Sequence, residues 1–325
     1  MLISTLLSEQ KAALVVIPLG IILLAIAPAL ISDSAQITLI TVLMYAILTL
    51  SWTMFSGPTG YVSLATAALF GVGIYVAALL RGTMPIEVIV LIGGLTGFVF
   101  ALAIGILTLR LRGVYFILFT FGMTALIRNV VQWWETHFGG TVGRHVLGAS
   151  NEAVYLLVTI LFAATLVVTF LVKHSRVGMA LQAIGENQDA AAHIGIHVTR
   201  IKVLTFAASA VFVGATGAVM ATRWRYIDPS IAFNPLLSFL PVVMAIFGGT
   251  SKLYGPILGT VVLVVLQDFL ITEHPYLYLL LFGLTLVVIV VWLPGGLVVL
   301  AQKWFLKARI QWAKLQMQVR RVRRR

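Results

Sequence analysis

The chain has no cysteine among its 325 residues. Disulfides, thiolate chemistry and cysteine-ligated zinc or iron–sulfur centres are therefore excluded. Charge is scarce too: Asp, Glu, Lys and Arg make up 10% of the residues, against about a quarter in ordinary soluble domains. No Gly-x-x-x-x-Gly-Lys-Ser/Thr phosphate loop occurs, so the chain carries no recognisable ATP cradle of its own. A nucleophile elbow and a His-Glu-x-x-His zinc motif are also missing. His137, His145, His174, His193, His197 and His274 all fall in loops or at helix ends. His193 and His197 have the spacing of one helix face, but a metal would need further ligands, and none is expected. Acid pairs inside apolar runs, the mark of a proton-driven carrier, are lacking. Asp268 and Arg128 sit near the ends of apolar runs, where anchoring at the interface is the simpler reading.

What the sequence has in excess is apolar surface. Of its residues 61% are apolar and the mean hydropathy is +1.07. A soluble core cannot hide that excess, because the buried fraction levels off as domains grow. A soluble enzyme, a disordered protein and a secreted disulfide scaffold are all excluded. Ten runs read as membrane spans: Ala12–Ile31, Ile37–Phe55, Val62–Leu80, Ile86–Leu109, Val114–Trp133, Ala153–Val172, Val203–Ala221, Leu236–Phe247, Ile257–Thr272 and Tyr276–Trp292. The runs are continuous and not alternating, which excludes a β-barrel. The expected fold is therefore all-α, a polytopic helical membrane protein of about ten transmembrane helices. Residues 1–302 form the membrane domain and 303–325 a basic tail. Ala27-Pro28-Ala29 resembles a signal-peptidase site, but with further spans following at once the first run reads as an uncleaved span. Leu236–Phe247 is short, and is expected either to extend back toward Ile231 or to be a half-helix broken at Pro241.

The net charge of +12 is unevenly spread. Lys303–Arg325 holds nine basic and no acidic residues, and the remainder 13 basic and 10 acidic. The excess points to an anionic membrane surface and not to a nucleic-acid-binding fold. Lys and Arg in short loops place the tail and the loop Lys173–Lys202 in the cytoplasm, and both termini with them. Arg81, Arg223 and Arg225 then fall outside, against the rule. Trp133, Trp134, Trp224 and Tyr226 lie near the expected outer interface. In the tail, Phe305, Ala308, Trp312, Leu315, Val319 and Val322 make one helix face opposite Lys and Arg. Lipid contact through Trp304, Phe305, Trp312, Arg320 and Arg321 is expected, with a coiled coil as the rival.

Two glycine-rich segments stand out, 55–63 and 247–256. They read either as diverged halves of an internal repeat or as small residues that let helices pack closely. The loop Lys173–Lys202 is the most informative segment. Val177, Leu181 and Ile184 recur at helical spacing, Glu186, Asn187 and Asp189 give a polar edge, and Ala190–Ala192 a smooth small face. A short amphipathic helix fixed at both ends by spans either docks a partner or anchors the interface.

At these residues the sequence resembles the branched-chain amino-acid permease family of bacterial ABC importers, in its Liv-M-like branch. The pattern carrying the resemblance is Ser-Arg-x-Gly-x-x-x-x-Ala-Ile-x-Glu-Asn-x-x-Ala-Ala followed by Gly-Ile. It is met by Ser175, Arg176, Gly178, Ala183, Ile184, Glu186, Asn187, Ala190, Ala191, Gly195 and Ile196. Thr199–Lys202, Phe206–Gly217, Gly60–Leu64, Leu109–Phe116, Phe247–Pro256 and Leu293–Leu297 are similar as well. The resemblance implies a permease subunit that hydrolyses nothing itself. Two ATPase subunits, holding ATP and Mg, dock at the coupling loop, a second permease completes the pathway, and a periplasmic binding protein delivers substrate. No cofactor is then bound by this chain. Arg176, Gly178, Ala183, Glu186, Asn187, Ala190 and Ala191 become the coupling candidates, and Tyr61, Ser63, Thr66 and Tyr254 the translocation-path candidates. Three departures stand out. Gly185 replaces a common arginine, which is expected to loosen the coupling helix. Ala65-Thr66 replaces Gly-His, and Ala125 an acidic residue, which opens the cargo to urea, short amides or aromatic acids. An ion-gradient carrier or channel is the rival from another class, and a structural scaffold is disfavoured.

Overall fold

Helix α1 (Asp33–Thr59) starts where the Ser32 hydroxyl accepts from Ala35 N, with Asp33 in its first turn complementing the positive helix end. It stops at Gly60, whose φ of 70° suits glycine and whose N–H closes onto Ser56 O at 3.0 Å. A computed structural model describes residues 32–111, 113–274, 276–278, 280–284 and 296–299, with Gly20, Leu24, Pro28 and Val287. After α1 come α2 (Thr66–Leu80), α3 (Ile86–Thr108) and α4 (Val114–Trp134), which widens into one π turn over Glu135–Gly139. A two-residue strand β1 (Arg144–His145) precedes α5 (Asn151–His174), the short helices α6 (Arg176–Glu186) and α7 (Gln188–His193), and α8 (Val198–Trp224). Strand β2 (Tyr226–Ile227), α9 (Pro229–Ala232), α10 (Leu236–Gly248) and α11 (Tyr254–Glu273) complete the order.

Seven helical stretches among the described residues are long and apolar enough to cross a membrane, and α2 is a shorter apolar helix. The protein is therefore an all-α polytopic membrane protein. Each of the eight inner apolar runs contains a helix; Ser32 and Ser150 cap the starts of α1 and α5, whereas α2, α3, α4, α8 and α11 start without a side-chain cap from their own N-cap residue. One run is corrected and another is decided between its two alternatives. Val62–Leu80 is not helical throughout: helix begins only at Thr66, and residues 60–65 are irregular. Leu236–Phe247 does not break at Pro241; it extends back past Ile231, the span running over Pro229–Gly248 as a short helical turn followed by a longer helix. The separate turn α9 is capped by the Asp228 carboxylate, and α10 runs through the proline. The run Ala12–Ile31 falls largely, Tyr276–Trp292 in part, and the tail 303–325 wholly, outside the described residues, and with them Trp304, Phe305, Trp312, Arg320 and Arg321.

The chain divides into two units between Pro241 and Val242. In the first, α8 is the central helix, packed on α1, α2, α3 and α5. Its approach depends on glycine: a Cβ on Gly214 would strike Gly93 O of α3, one on Gly73 would strike Gly214 O, and one on Gly217 would strike Phe70 O of α2. Lipid tails are as apolar as leucine, so close backbone packing is what holds such helices together. At the end of α5 and α8 away from α6 and α7, β1 pairs antiparallel with β2, Arg144 opposite Ile227 and His145 opposite Tyr226. In the second unit the turn between α10 and α11 is equally tight, since a Cβ on Gly259 would strike Met244 O and one on Gly255 would strike Gly249 O.

Candidate functional site

The polar segment between α5 and α8 folds as two helices and not as one. Ser175 serves both neighbours: its hydroxyl donates to Val172 O at 2.8 Å at the end of α5 and accepts from Gly178 N at the start of α6. Gly178 is buried there because a Cβ would run into the Val172 carbonyl. Asn187 separates the two helices, its side-chain oxygen accepting from Asp189 N and Ala190 N, both at 3.0 Å. Leu181 and Ile184 face inward, and Ile184 packs with Ala191 and Val198. Val177 does not join that face; it is exposed, as are Met179 and Ile194. Arg176, Glu186, Asn187 and Ala190 lie on the outer surface, whereas Gly178 and Ala191 are buried and Ala183 is half-buried. Gly185 is no loose point. A Cβ there would collide with Pro58 O, so the glycine lets α6 rest against the end of α1.

The irregular segment 60–65 lies beside this pair. Ser63, Leu64 and Ala65 are buried, and buried irregular backbone in a membrane protein requires partners from neighbouring helices. Trp52 Nε1 of α1 donates to Ser63 O at 2.9 Å. Leu64 N donates to Thr120 Oγ1 of α4 at 3.1 Å, and Leu64 O accepts from Ser238 Oγ of α10 at 2.7 Å. The same Ser238 oxygen accepts from Ala67 N, so it caps α2 from another helix where Ala65 offers no side-chain cap. Ser63 and Thr66 line a cavity of about 20 Å³ together with Ser51, Ser56, Ser209, Trp52 and Phe55. The Ser51 and Ser56 hydroxyls have no hydrogen-bond partner among the described residues.

At the start of the segment Tyr61 OH donates to Gln188 Oε1 of α7 at 2.7 Å. Lys202 Nζ donates to the same oxygen at 3.2 Å and to Leu109 O, just past α3, at 3.0 Å. It also lies 4.3 Å from the centroid of the Tyr61 ring, a cation–π contact. Lys202 is 1% exposed. Tyr254 belongs to the second unit, where it opens α11 and is half-exposed. At the opposite end of the first unit, Glu135 is fully buried, pairing with Arg144 at 3.1 Å and accepting from Gly143 N.

A sequence model of the family described as the branched-chain amino acid transport system, permease component, matches residues 34–290. The chain belongs to that family. The permease is similar to the LivM permease protein of the high-affinity branched-chain amino acid transport system of Salmonella typhimurium, 25% identical over 82% of this chain and 69% of that protein. Its similarity to LivM of Escherichia coli K12 is 26% over 89% and 75%. LivH of the same Salmonella system is 25% identical over 78% of this chain and 90% of its own length. No solved structure matches the permease significantly.

Sequence reasoning missed Trp52, Thr120, Gln188, Lys202 and Ser238, which hold the segment in place, and the buried Glu135. Lys202, the end of the polar loop in the sequence, lies instead in the first turns of α8 and is buried. Thr120 and Thr124 carried a usable signal: hydroxyls four apart in an apolar helix share one face, and both are buried.

Proposed function

We propose that this permease is an inner-membrane subunit of about ten spans, with both termini in the cytoplasm, in an importer of branched-chain or related amino acids. It would pair with a second permease, dock two ATPase subunits that hold ATP and Mg, and receive cargo from a periplasmic binding protein. The observation that carries this reading is the α6–α7 pair. Two short helices anchored by α5 and α8 present Arg176, Glu186 and Asn187 beside exposed Val177, Met179 and Ile194. Apolar side chains among polar ones on a surface outside the spans suit a protein partner. LivM and LivH belong to branched-chain amino acid transport systems, and that cargo class is carried to this chain.

The Ser51, Ser56, Ser63, Thr66 and Ser209 cavity is our candidate for the path within this subunit, with Tyr254 as a further candidate. A volume of about 20 Å³ is room for one water molecule and not for an amino acid, so cargo would pass only after these helices separate. The tail 303–325 is assigned to anionic lipid.

Mild-detergent capture of the tagged chain from its host tests the reading, comparing wild type with Glu186→Arg. An ATPase recovered with wild type and lost with the variant supports it. No ATPase in either sample overturns it. Uptake of labelled leucine by the assembled complex tests the cargo, and uptake of urea or a short amide instead would reassign it within the family.

A further inference from the structure

The α6–α7 pair touches the junction between α1 and the irregular segment at two points, one on each side of Gly60. On the α1 side, Gly185 rests against the Pro58 and Thr59 backbone with no room for a Cβ. On the other side, Gln188 Oε1 accepts a hydrogen bond from Tyr61 OH at 2.7 Å. Gly60 between them has φ 70° and nothing within 4 Å of the place a Cβ would take, a conformation glycine adopts without penalty, and Tyr61 N donates across it to Thr59 Oγ1 at 3.3 Å. The α6–α7 pair thus holds the chain on both sides of that glycine. The far end of the segment is pinned, with Leu64 held by Thr120 and Ser238. Between these points lie Tyr61, Val62 and Ser63; Ser63 lines the hydroxyl cavity, and its carbonyl accepts from Trp52 Nε1 at 2.9 Å.

We propose that Gln188, bridging the Tyr61 hydroxyl and the Lys202 ammonium, is the positioning residue that carries movement of α6–α7 into residues 61–63. The proposal rests on reading α6–α7 as the ATPase-docking helices. Lys202 sets the resting position. Its buried charge is stabilised by the Leu109 carbonyl, the Gln188 oxygen and the Tyr61 ring face, so all three are drawn to one point. Changing that geometry costs charge-assisted contacts in a site shielded from water, which favours a few discrete positions over gradual drift.

The absence of native cysteine makes one introduced thiol a unique reporter on this chain. With Val62→Cys in the assembled transporter in proteoliposomes, maleimide labelling is timed with and without ATP and vanadate. The expected result is a rate change of about tenfold with Gln188 present, within the usual range of coupling between sites. With Gln188→Glu the change persists, because a carboxylate oxygen accepts from both donors. With Gln188→Leu it shrinks to about twofold or less while ATP hydrolysis by the complex continues. Tyr61→Phe also reduces it, and the Tyr61→Phe, Gln188→Leu pair does no more than Gln188→Leu alone, since Gln188→Leu already removes the bond that Tyr61→Phe breaks. An undiminished change in Gln188→Leu overturns the proposal, as does additivity in the pair. If Gln188→Leu does not assemble, Tyr61→Phe alone decides: an undiminished change with it overturns the proposal. A wild-type complex that retains ATPase but shows no nucleotide-dependent labelling also overturns it. Failure to recover any ATPase instead overturns the docking reading beneath it.

Discussion

Helices α4 and α8 are both apolar spans, yet α8 is buried along 83% of its most apolar stretch and α4 along 22%. The difference lies in side-chain size. Along α8, Ala207, Ala210, Gly214, Gly217, Ala218 and Ala221 let neighbouring backbones come close. Helix α4 turns Tyr115, Leu118, Phe119, Leu126 and Trp133 outward and buries a single stripe of Phe116, Thr120, Thr124 and Ile127. Hydropathy thus says that a helix crosses, while the distribution of small residues says whether it crosses inside the protein or at its edge.

That contrast can be broken most forcefully at Gly214. Gly214→Leu would drive a side chain into the Gly93 carbonyl, and a loss of about 3 kcal/mol or more is expected, read as loss of folded monomer in detergent unfolding. Next is Ser238→Ala, which strips Leu64 O and Ala67 N of their shared hydroxyl. It should cost about 2 kcal/mol in the same assay. Asn187→Ala removes a helix cap outside the spans and should cost about 1 kcal/mol, with earlier proteolysis near residue 187. Leu118→Ala, on the outward face of α4, should change stability by less than about 0.5 kcal/mol. A large loss at Leu118 in the isolated subunit would show that α4 is not an edge helix.

The same contrast explains what could be read from the sequence. The eight inner spans were legible because each carries its own apolar run. The division of the polar segment into α6 and α7 was not, since it turns on one asparagine whose side chain stops one helix and starts the next. The irregular stretch before Thr66 was hidden for a different reason. Its apolar residues fit a helix, and its backbone is satisfied by groups 11, 56 and 174 residues away in the chain, which local pattern cannot reveal. Lys202 and Gly185 misled in opposite ways. One is a charge that is buried against carbonyl groups, the other a glycine that marks contact and not looseness.

The distance from Leu64 to Ser238 also has a meaning in time. At about 5 to 20 residues per second of synthesis, the Ser238 hydroxyl, which makes the closer of the two bonds to Leu64 O, is made roughly 9 to 35 s after Leu64 itself. Thr120, 56 residues on, follows Leu64 after about 3 to 11 s. For that interval the first two described helices exist without the groups that make their junction compatible with a lipid interior. The newborn chain must therefore keep residues 60–65 in water or against the insertion machinery until α4, and later α10, arrive. Slowing translation between residues 70 and 236 should lengthen that exposure and increase degradation of the nascent permease.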